Sequence, residues 1–110
     1  MNWQSFSEVK EFLKKQILNF FKEKDADIFL FGSRAHADSV KKFSDYDIGF
    51  FTEEILSNLE ISNLREQLEA FPIAQKIDLV DFSKVDENFK AYALKEVQIW
   101  KKKKNNSLFD

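Results

Sequence analysis

The sequence lacks cysteine altogether, and its 110 residues include one histidine, one proline and two glycines. Without cysteine the chain can form no disulfide and no thiolate metal site, and it has no thiol nucleophile. A single histidine cannot make a zinc site on its own. Thiol chemistry and zinc binding through histidine and cysteine are therefore excluded.

The chain also lacks a large excess of either charge and any long apolar run. Its formal net charge is −2, so no global basic field would attract nucleic acid, and we expect no direct nucleic-acid binding. No apolar run approaches membrane-spanning length, and residues 1–5 show no signal-peptide pattern. These absences predict a cytoplasmic protein without membrane association.

The composition is that of one soluble globular domain. Hydrophobic residues make up 44% and charged residues 33% of the chain, which separates it from disordered proteins, and its length allows one core. We assign residues 1–104 to this domain and 105–110 to a polar C-terminal tail. The basic run Lys101 to Lys104 is typical of a frayed, solvated end. We expect most of the thirteen phenylalanines to fill the core and a few surplus ones to face a partner protein.

Three long helices are predicted. The first covers residues 6–23, where apolar residues recur every three or four positions, with Ser5 as its capping candidate. The second follows the capping candidate Ser57 and ends by Phe71, because Pro72 cannot continue a helix. The third follows Asp86 as its cap. Its apolar positions would be Phe89, Tyr92, Val97 and Trp100.

Three strands are predicted between these helices. Residues 28–31 form a short continuous apolar run, typical of a strand buried on both faces. Residues 45–51 and 76–82 alternate in polarity as strands do. A helix of one or two turns can form at residues 34–37. The order helix, strand, short helix, strand, helix, strand, helix indicates an α/β fold with helices packed on a small sheet.

The two glycines both lie between residues 31 and 49. A chain this sparing with glycine uses it where the backbone must bend or another group must come close. Gly32 and Ser33 form a turn after a buried strand, where backbone N–H groups favour anions and the serine hydroxyl adds a donor. Arg34 can bring a permanent bidentate charge to a phosphate. This stretch therefore predicts a phosphate site.

Carboxylates follow this turn at a spacing that suits a metal ion. Asp45 and Asp47 lie on one face of a strand, about 6 to 7 Å apart, so both can reach one Mg²⁺. A third carboxylate on a neighbouring strand would complete a two-metal site. The candidates Asp78 and Asp81 face opposite sides of the third predicted strand. We choose Asp78, because a carboxylate between two apolar residues costs desolvation unless it has a partner, whereas Asp81 only ends the strand.

Taken together, three motifs in this order resemble a known family. They are Leu30-Phe31-Gly32-Ser33-Arg34-Ala35, Ser44-Asp45-Tyr46-Asp47-Ile48 and Lys76-Ile77-Asp78-Leu79-Val80. The chain is similar, over nearly its whole length, to the minimal nucleotidyltransferases (MNT proteins) of the DNA polymerase β superfamily. The resemblance implies the nucleotidyltransferase fold, a small mixed β-sheet with helices packed on it.

The resemblance also implies an activity and a partner. Such proteins commonly pair with a HEPN-domain toxin, and the nucleotidyltransferase, as antitoxin, moves AMP from ATP to a tyrosine hydroxyl of the toxin. Carried over, Gly32 and Ser33 would hold the ATP phosphates, with Arg34 beside them. Asp45 and Asp47 would bind Mg²⁺, in a site for two ions. Asp78 would bind the catalytic metal and help to deprotonate the acceptor hydroxyl.

The chain departs from the family pattern between the first two motifs. Eleven residues separate Ser33 from Asp45 where ten are usual, a change that a loop can absorb. His36 and Ala37 stand where the family often has a basic residue and a glycine. Ala37 would disfavour a backbone with positive φ, which affects the loop shape and the affinity for nucleotide.

Two other functions stay open at this point. A nucleotide-binding or steric antitoxin without catalysis would neutralise its partner by covering it, and surplus phenylalanines are compatible with that role. Nucleotidyl transfer to a small molecule is a weaker alternative, because it would need a substrate domain from a second subunit. Either a homo-oligomer or a hetero-oligomer is compatible with the sequence.

Overall fold

The computed structural model describes residues 6–35, 45–73 and 75–110. Its elements are α1 (Phe6–Phe20), β1 (Ala26–Phe31), a single 3-10 turn (Gly32–Ala35), β2 (Tyr46–Thr52), α2 (Asn58–Glu69), β3 (Ile77–Asp81), α3 (Glu87–Ala93) and β4 (Gln98–Lys101). The strands form one sheet in the order β3-β2-β1-β4. Strand β1 is antiparallel to β2 and β4, whereas β2 and β3 are parallel. This mixed sheet with packed helices confirms the predicted fold class.

The sheet separates two hydrophobic clusters, because alternate residues of each strand point to opposite faces. One face carries the larger cluster, which α1 and α2 cover with residues such as Leu13, Ile17 and Leu64. The other face carries a smaller cluster built on Phe29 and Phe31 of β1. Among the described residues, no helix is both long enough and apolar enough to cross a membrane.

Two of the helix caps predicted from the sequence are present. The side chain of Ser57 accepts a hydrogen bond from the backbone N–H of Glu60, at 3.1 Å. The carboxylate of Asp86 accepts from the N–H of Phe89, at 2.8 Å. Each cap satisfies a backbone donor that the first turn of a helix leaves without a partner. Ser5, the cap candidate for α1, lies outside the described residues.

The prediction of a helix that continues to Trp100 is wrong. Helix α3 ends at Ala93, and residues 98–101 form β4, which pairs with β1. Without β4, strand β1 would be an edge strand with a row of unpaired backbone groups. The β-branched and aromatic residues from Val97 to Trp100 suit a strand as well as a helix, and pairing with β1 decides between them.

The interpretation of residues 101–104 as a frayed tail is also wrong. Asp27, fully buried on β1, accepts hydrogen bonds from the backbone N–H groups of Lys103 at 2.7 Å and Leu108 at 2.8 Å. It also accepts from the hydroxyl of Ser107, at 2.6 Å. Lys103 itself is only 4% exposed. The end of the chain is held in place here because one buried carboxylate accepts hydrogen bonds from Lys103, Ser107 and Leu108.

The last residues also pack on the sheet. Leu108 and Phe109 are partly buried against the smaller cluster, and the ring of Phe109 meets Phe29 edge to face at 5.1 Å. The division into a domain ending at residue 104 and a tail after it stays a prediction.

We expect Asp27→Asn to lower the free energy of unfolding by about 1–2 kcal/mol. The asparagine side chain keeps one acceptor oxygen, but its NH2 group would face N–H or O–H donors that now donate to Asp27. Urea denaturation measures the change. Glu87→Gln is the matched control, because its 3.7 Å ion pair with Lys90 lies at the surface and should contribute less than about 0.5 kcal/mol. Equal losses in both variants would contradict a special role for Asp27.

Candidate active site

Asp47 and Asp78 lie directly opposite each other on the adjacent parallel strands β2 and β3. Paired residues on neighbouring strands are about 4.8 Å apart across the sheet and point to the same face. Asp81 is paired with Phe50, whose ring belongs to the larger cluster on the opposite face. The structure therefore brings Asp78, and not Asp81, beside Asp47.

Gly32 lies against the same carboxylate. Phe31, the last residue of β1, is paired with Asp47, so the turn after β1 begins at the level of that side chain. The φ angle of Gly32 is +73°, a left-handed conformation that glycine adopts readily and other residues rarely do. A Cβ at this position would overlap the Oδ2 atom of Asp47. Both the backbone angle and the close approach therefore require glycine.

The second glycine serves the packing of the sheet instead. A Cβ on Gly49 would overlap the rings of Phe29 and Phe82, which belong to the smaller cluster. Gly49 thus makes room for aromatic side chains and does not line the cleft that contains Asp47.

Asp47 and Asp78 open into a cleft of about 570 Å³, a volume within the range of small-molecule sites. Its lining is largely apolar and includes two aromatic residues of α3, with the polar groups of Asp47, Asp78 and Ser33 and with charged residues just beyond that helix. The lining residues are Phe31, Gly32, Ser33, Asp47, Asp78, Val80, Phe89, Tyr92, Ala93, Lys95 and Glu96. A larger groove of about 750 Å³ lies beside Asp81 at the other end of β2 and β3 and contains none of the predicted site residues.

The carboxylates of the cleft repel one another. Burial raises the pKa of Asp47 to about 6, and the negative charges of Asp78 and Asp45 add to the effect. The positive charge of Lys76 acts in the opposite direction. Holding these carboxylates ionised together is therefore costly, and a bound cation would remove that cost.

The donor chemistry of the cleft fits a hard divalent cation. Mg²⁺ is bound in many sites by one or two carboxylates, with phosphate oxygens and water as its other ligands. Within residues 6–35, 45–73 and 75–110, no three His, Cys, Asp or Glu side chains gather closely enough to hold a metal by themselves. Asp47 and Asp78 can supply the protein's share, and the exposed Asp45, just before β2, stays a predicted ligand.

The remaining predicted site residues differ in their placement. Ser33 is exposed and lines the cleft beside Gly32. Arg34 is 3% exposed, and its guanidinium lies over the ring of Tyr46, 4.3 Å from the ring centre. Arg34 does not line the cleft, so its predicted contact with phosphate stays a prediction. His36 and Ala37 lie outside the described residues.

Sequence reasoning did not identify the wall that α3 contributes to the cleft. Phe89 and Tyr92 were expected on the apolar face of a longer helix. In the shorter α3 only Ala93 is buried, and Tyr92 is 74% exposed. An aromatic residue three positions from another on a helix is usually a core pair, so the sequence carries no separate signal for this role.

The chain matches a family model described as "Polymerase beta, Nucleotidyltransferase" over residues 13–105. It is also 32% identical, over 66 residues, to a Haemophilus influenzae protein named Probable protein adenylyltransferase MntA. That alignment covers 60% of this chain and 57% of the Haemophilus protein. The chain therefore spans little more than half the length of this relative.

Solved structures with a similar fold include two toxin–antitoxin structures. One is a complex of a tri-AMPylated HEPN toxin with an MNT antitoxin from Shewanella oneidensis, with a TM-score of 0.59 and 19% identity over 84% of this chain and 71% of that one. The other is a toxin–antitoxin with AMP-PNP, with a TM-score of 0.61 and 20% identity over 80% and 72% of the two chains. At these identities the likeness concerns the fold. Since the family model covers most of its length, the chain belongs to the polymerase β nucleotidyltransferase family.

Proposed function

We propose that this protein is a Mg²⁺-dependent nucleotidyltransferase that moves AMP from ATP to a tyrosine hydroxyl of a HEPN-type toxin, and so acts as an antitoxin in the cytoplasm. The observation that carries the proposal is the pairing of Asp47 with Asp78 beside the Gly32 turn, within one cleft. The adenylyltransferase name of the Haemophilus relative and the AMPylated toxin in the Shewanella complex support the same reaction.

Asp45, Asp47 and Asp78 are the residues that would hold Mg²⁺. The ion would supply positive charge to the phosphates and to the oxygen of the acceptor hydroxyl as it loses its proton. A cation is needed because the negatively charged carboxylates in the cleft would otherwise repel the negatively charged triphosphate. A second cation would be bound by the same carboxylates together with phosphate oxygens.

The proposed reaction forms a bond between the acceptor hydroxyl oxygen and the α-phosphorus of ATP. The bond from that phosphorus to the oxygen bridging to the β-phosphate breaks, and pyrophosphate leaves with that oxygen. Asp78 helps to remove the hydroxyl proton. The Gly32–Ser33 turn binds the phosphates through backbone N–H groups and the serine hydroxyl. Catalysis by such a site is mainly positioning and electrostatic stabilisation.

The test is transfer of label from α-³²P-ATP, with Mg²⁺, to the HEPN-type protein. Asp78→Asn should lower the rate by more than about a hundredfold. Loss of a group that only supports a metal ligand already lowers activity by up to about a hundredfold, and Asp78 is proposed as a ligand itself. Asp81→Asn is the matched control, since Asp81 lies three residues further along and bonds to the N–H and hydroxyl of Ser83, at 2.9 and 2.7 Å. This control should keep the wild-type rate.

Absence of label on the partner, or equal rates in the two variants, would contradict the proposed reaction. Neutralisation of the toxin in cells distinguishes the steric alternative. If Asp78→Asn still neutralised the toxin while its transfer activity was lost, the protein would act by covering its partner.

A further inference from the structure

We propose that Phe89 and Tyr92 of α3 form the nucleobase-binding wall of the cleft. The base of the nucleotide stacks on the exposed ring of Tyr92, while the triphosphate extends toward Gly32, Ser33 and the carboxylates. This inference rests on the proposed function, because it places the base of the nucleotide that the reaction consumes.

The first support is the position of the two aromatic residues. Three positions apart on α3, they lie on the same side of the helix, and both line the cleft. Phe89 is 38% exposed and Tyr92 is 74% exposed, so each presents ring surface to the cleft. An exposed pair of aromatic residues in a concave site is a common feature of ligand binding.

The second support is the packing of Phe89. The ring of Phe89 lies 6.1 Å from that of Phe31, edge to face, and 5.8 Å from that of Phe82. Phe31 and Phe82 belong to the smaller cluster, so these contacts restrict the ring of Phe89. A ring that is already fixed loses little freedom when a ligand stacks on it.

The third support is the mixed chemistry of the cleft. Its lining combines polar groups (Asp47, Asp78 and Ser33) with apolar side chains (Phe31, Val80 and residues of α3), and Lys95 and Glu96 follow that helix. A nucleotide combines the same two chemistries, a flat aromatic base and a polyanion. Aromatic side chains bind bases through their faces, largely without regard to base identity.

An acceptor side chain of the partner fits this wall less well. That side chain has to bring a single hydroxyl to the α-phosphorus, beside Asp78. The base, by contrast, needs a flat surface that does not carry the reacting groups. Phe89 and Tyr92 belong to α3 whereas Asp47 and Asp78 belong to β2 and β3, so the aromatic surface and the carboxylates are held by different elements.

Titration calorimetry with Mg²⁺ and either AMP-PNP or inorganic tripolyphosphate tests the inference. Tyr92→Ala should weaken the binding of AMP-PNP by about tenfold and leave that of tripolyphosphate unchanged. Tyr92→Phe, which keeps the ring, should bind both like the wild type. Leu59→Ala is the control for loss of an exposed apolar side chain, since Leu59 is 70% exposed and lies outside the cleft.

The outcomes separate this inference from the proposed function. If Tyr92→Ala bound AMP-PNP as tightly as the wild type, or lost equal affinity for both ligands, the inference that this wall binds the base would be overturned. If Tyr92→Ala lowered AMP transfer without changing AMP-PNP affinity, the residue would contact the acceptor, so the wall would be overturned and the proposed function would stand. If Tyr92→Ala weakened AMP-PNP selectively but the wild type transferred no AMP, the wall would stand and the proposed function would fail. Failure of the wild type to bind AMP-PNP would overturn both.

Discussion

Replacing Asp47 with asparagine is expected to abolish AMP transfer and, at the same time, to stabilise the fold at neutral pH. Asp47 lies opposite Asp78 and against Gly32, so it is the carboxylate nearest the centre of the proposed site. Its loss should lower the transfer rate by more than about a hundredfold, which is the upper range for loss of a group that only supports a metal ligand. A side chain placed for function at a cost in stability is a common feature of active sites.

The expected gain in stability follows from the pKa of Asp47. Burial and the neighbouring carboxylates raise that pKa from its ordinary value of 3.8 to about 6, so the folded protein binds the proton more tightly than the unfolded chain does. The stability that this proton contributes is fully present below pH 3.8 and is lost as the pH rises through 6. Asparagine cannot ionise, so the variant does not lose stability through ionisation at position 47 as the pH rises.

Urea denaturation in EDTA, at pH 8 and at pH 4, measures this effect. At pH 8 Asp47→Asn should unfold with a free energy about 1–2 kcal/mol above that of the wild type, a value reduced for the partial solvent exposure of the carboxylate. At pH 4 the two proteins should be equally stable. Added Mg²⁺ should raise the stability of the wild type at pH 8 more than that of the variant. A variant less stable than the wild type at pH 8 would contradict the unfavourable burial of this charge.

The placement of Asp78, and not Asp81, beside Asp47 was predictable because it depends only on local geometry. Side chains alternate along any strand, so two residues three positions apart must face opposite sides. A carboxylate in the middle of an apolar strand also needs a specific reason. Gly32 was predictable for a similar reason, since few other residues tolerate both a left-handed backbone and a close neighbour.

Strand β4 and the C-terminal contacts could not be predicted, because they depend on distant parts of the chain. Residues 97–100 are compatible with a helix or a strand, and the unpaired edge of β1 decides between them. The donors that Asp27 receives come from residues 76 to 81 positions away. The sequence predicted a longer α3 with Tyr92 on its apolar face, but α3 ends at Ala93 and Tyr92 is exposed. The part of the cleft that Tyr92 lines therefore could not be predicted.

Gly32→Ala is expected to lower both the free energy of unfolding and the rate of transfer. The left-handed backbone angle of +73° should cost an alanine about 1–2 kcal/mol. Overlap of its Cβ with the Oδ2 atom of Asp47 adds about 1–3 kcal/mol, as in other overpacked sites. We expect a total of about 2–5 kcal/mol. The transfer rate should fall by at least about tenfold, because the carboxylate is pushed from its place opposite Asp78.

A double-mutant cycle separates these two contributions. In an Asp47→Ala background the overlap with the carboxylate is gone, so Gly32→Ala should cost little beyond the backbone term, and the two changes should be non-additive by about 1–3 kcal/mol. Gly49→Ala is the matched control, because its Cβ would meet Phe29 and Phe82 and its cost should be the same in both backgrounds. If Gly32→Ala cost the same in both backgrounds, the backbone angle alone would require glycine. The close approach of the turn to Asp47 would then contribute nothing to the stability of the site.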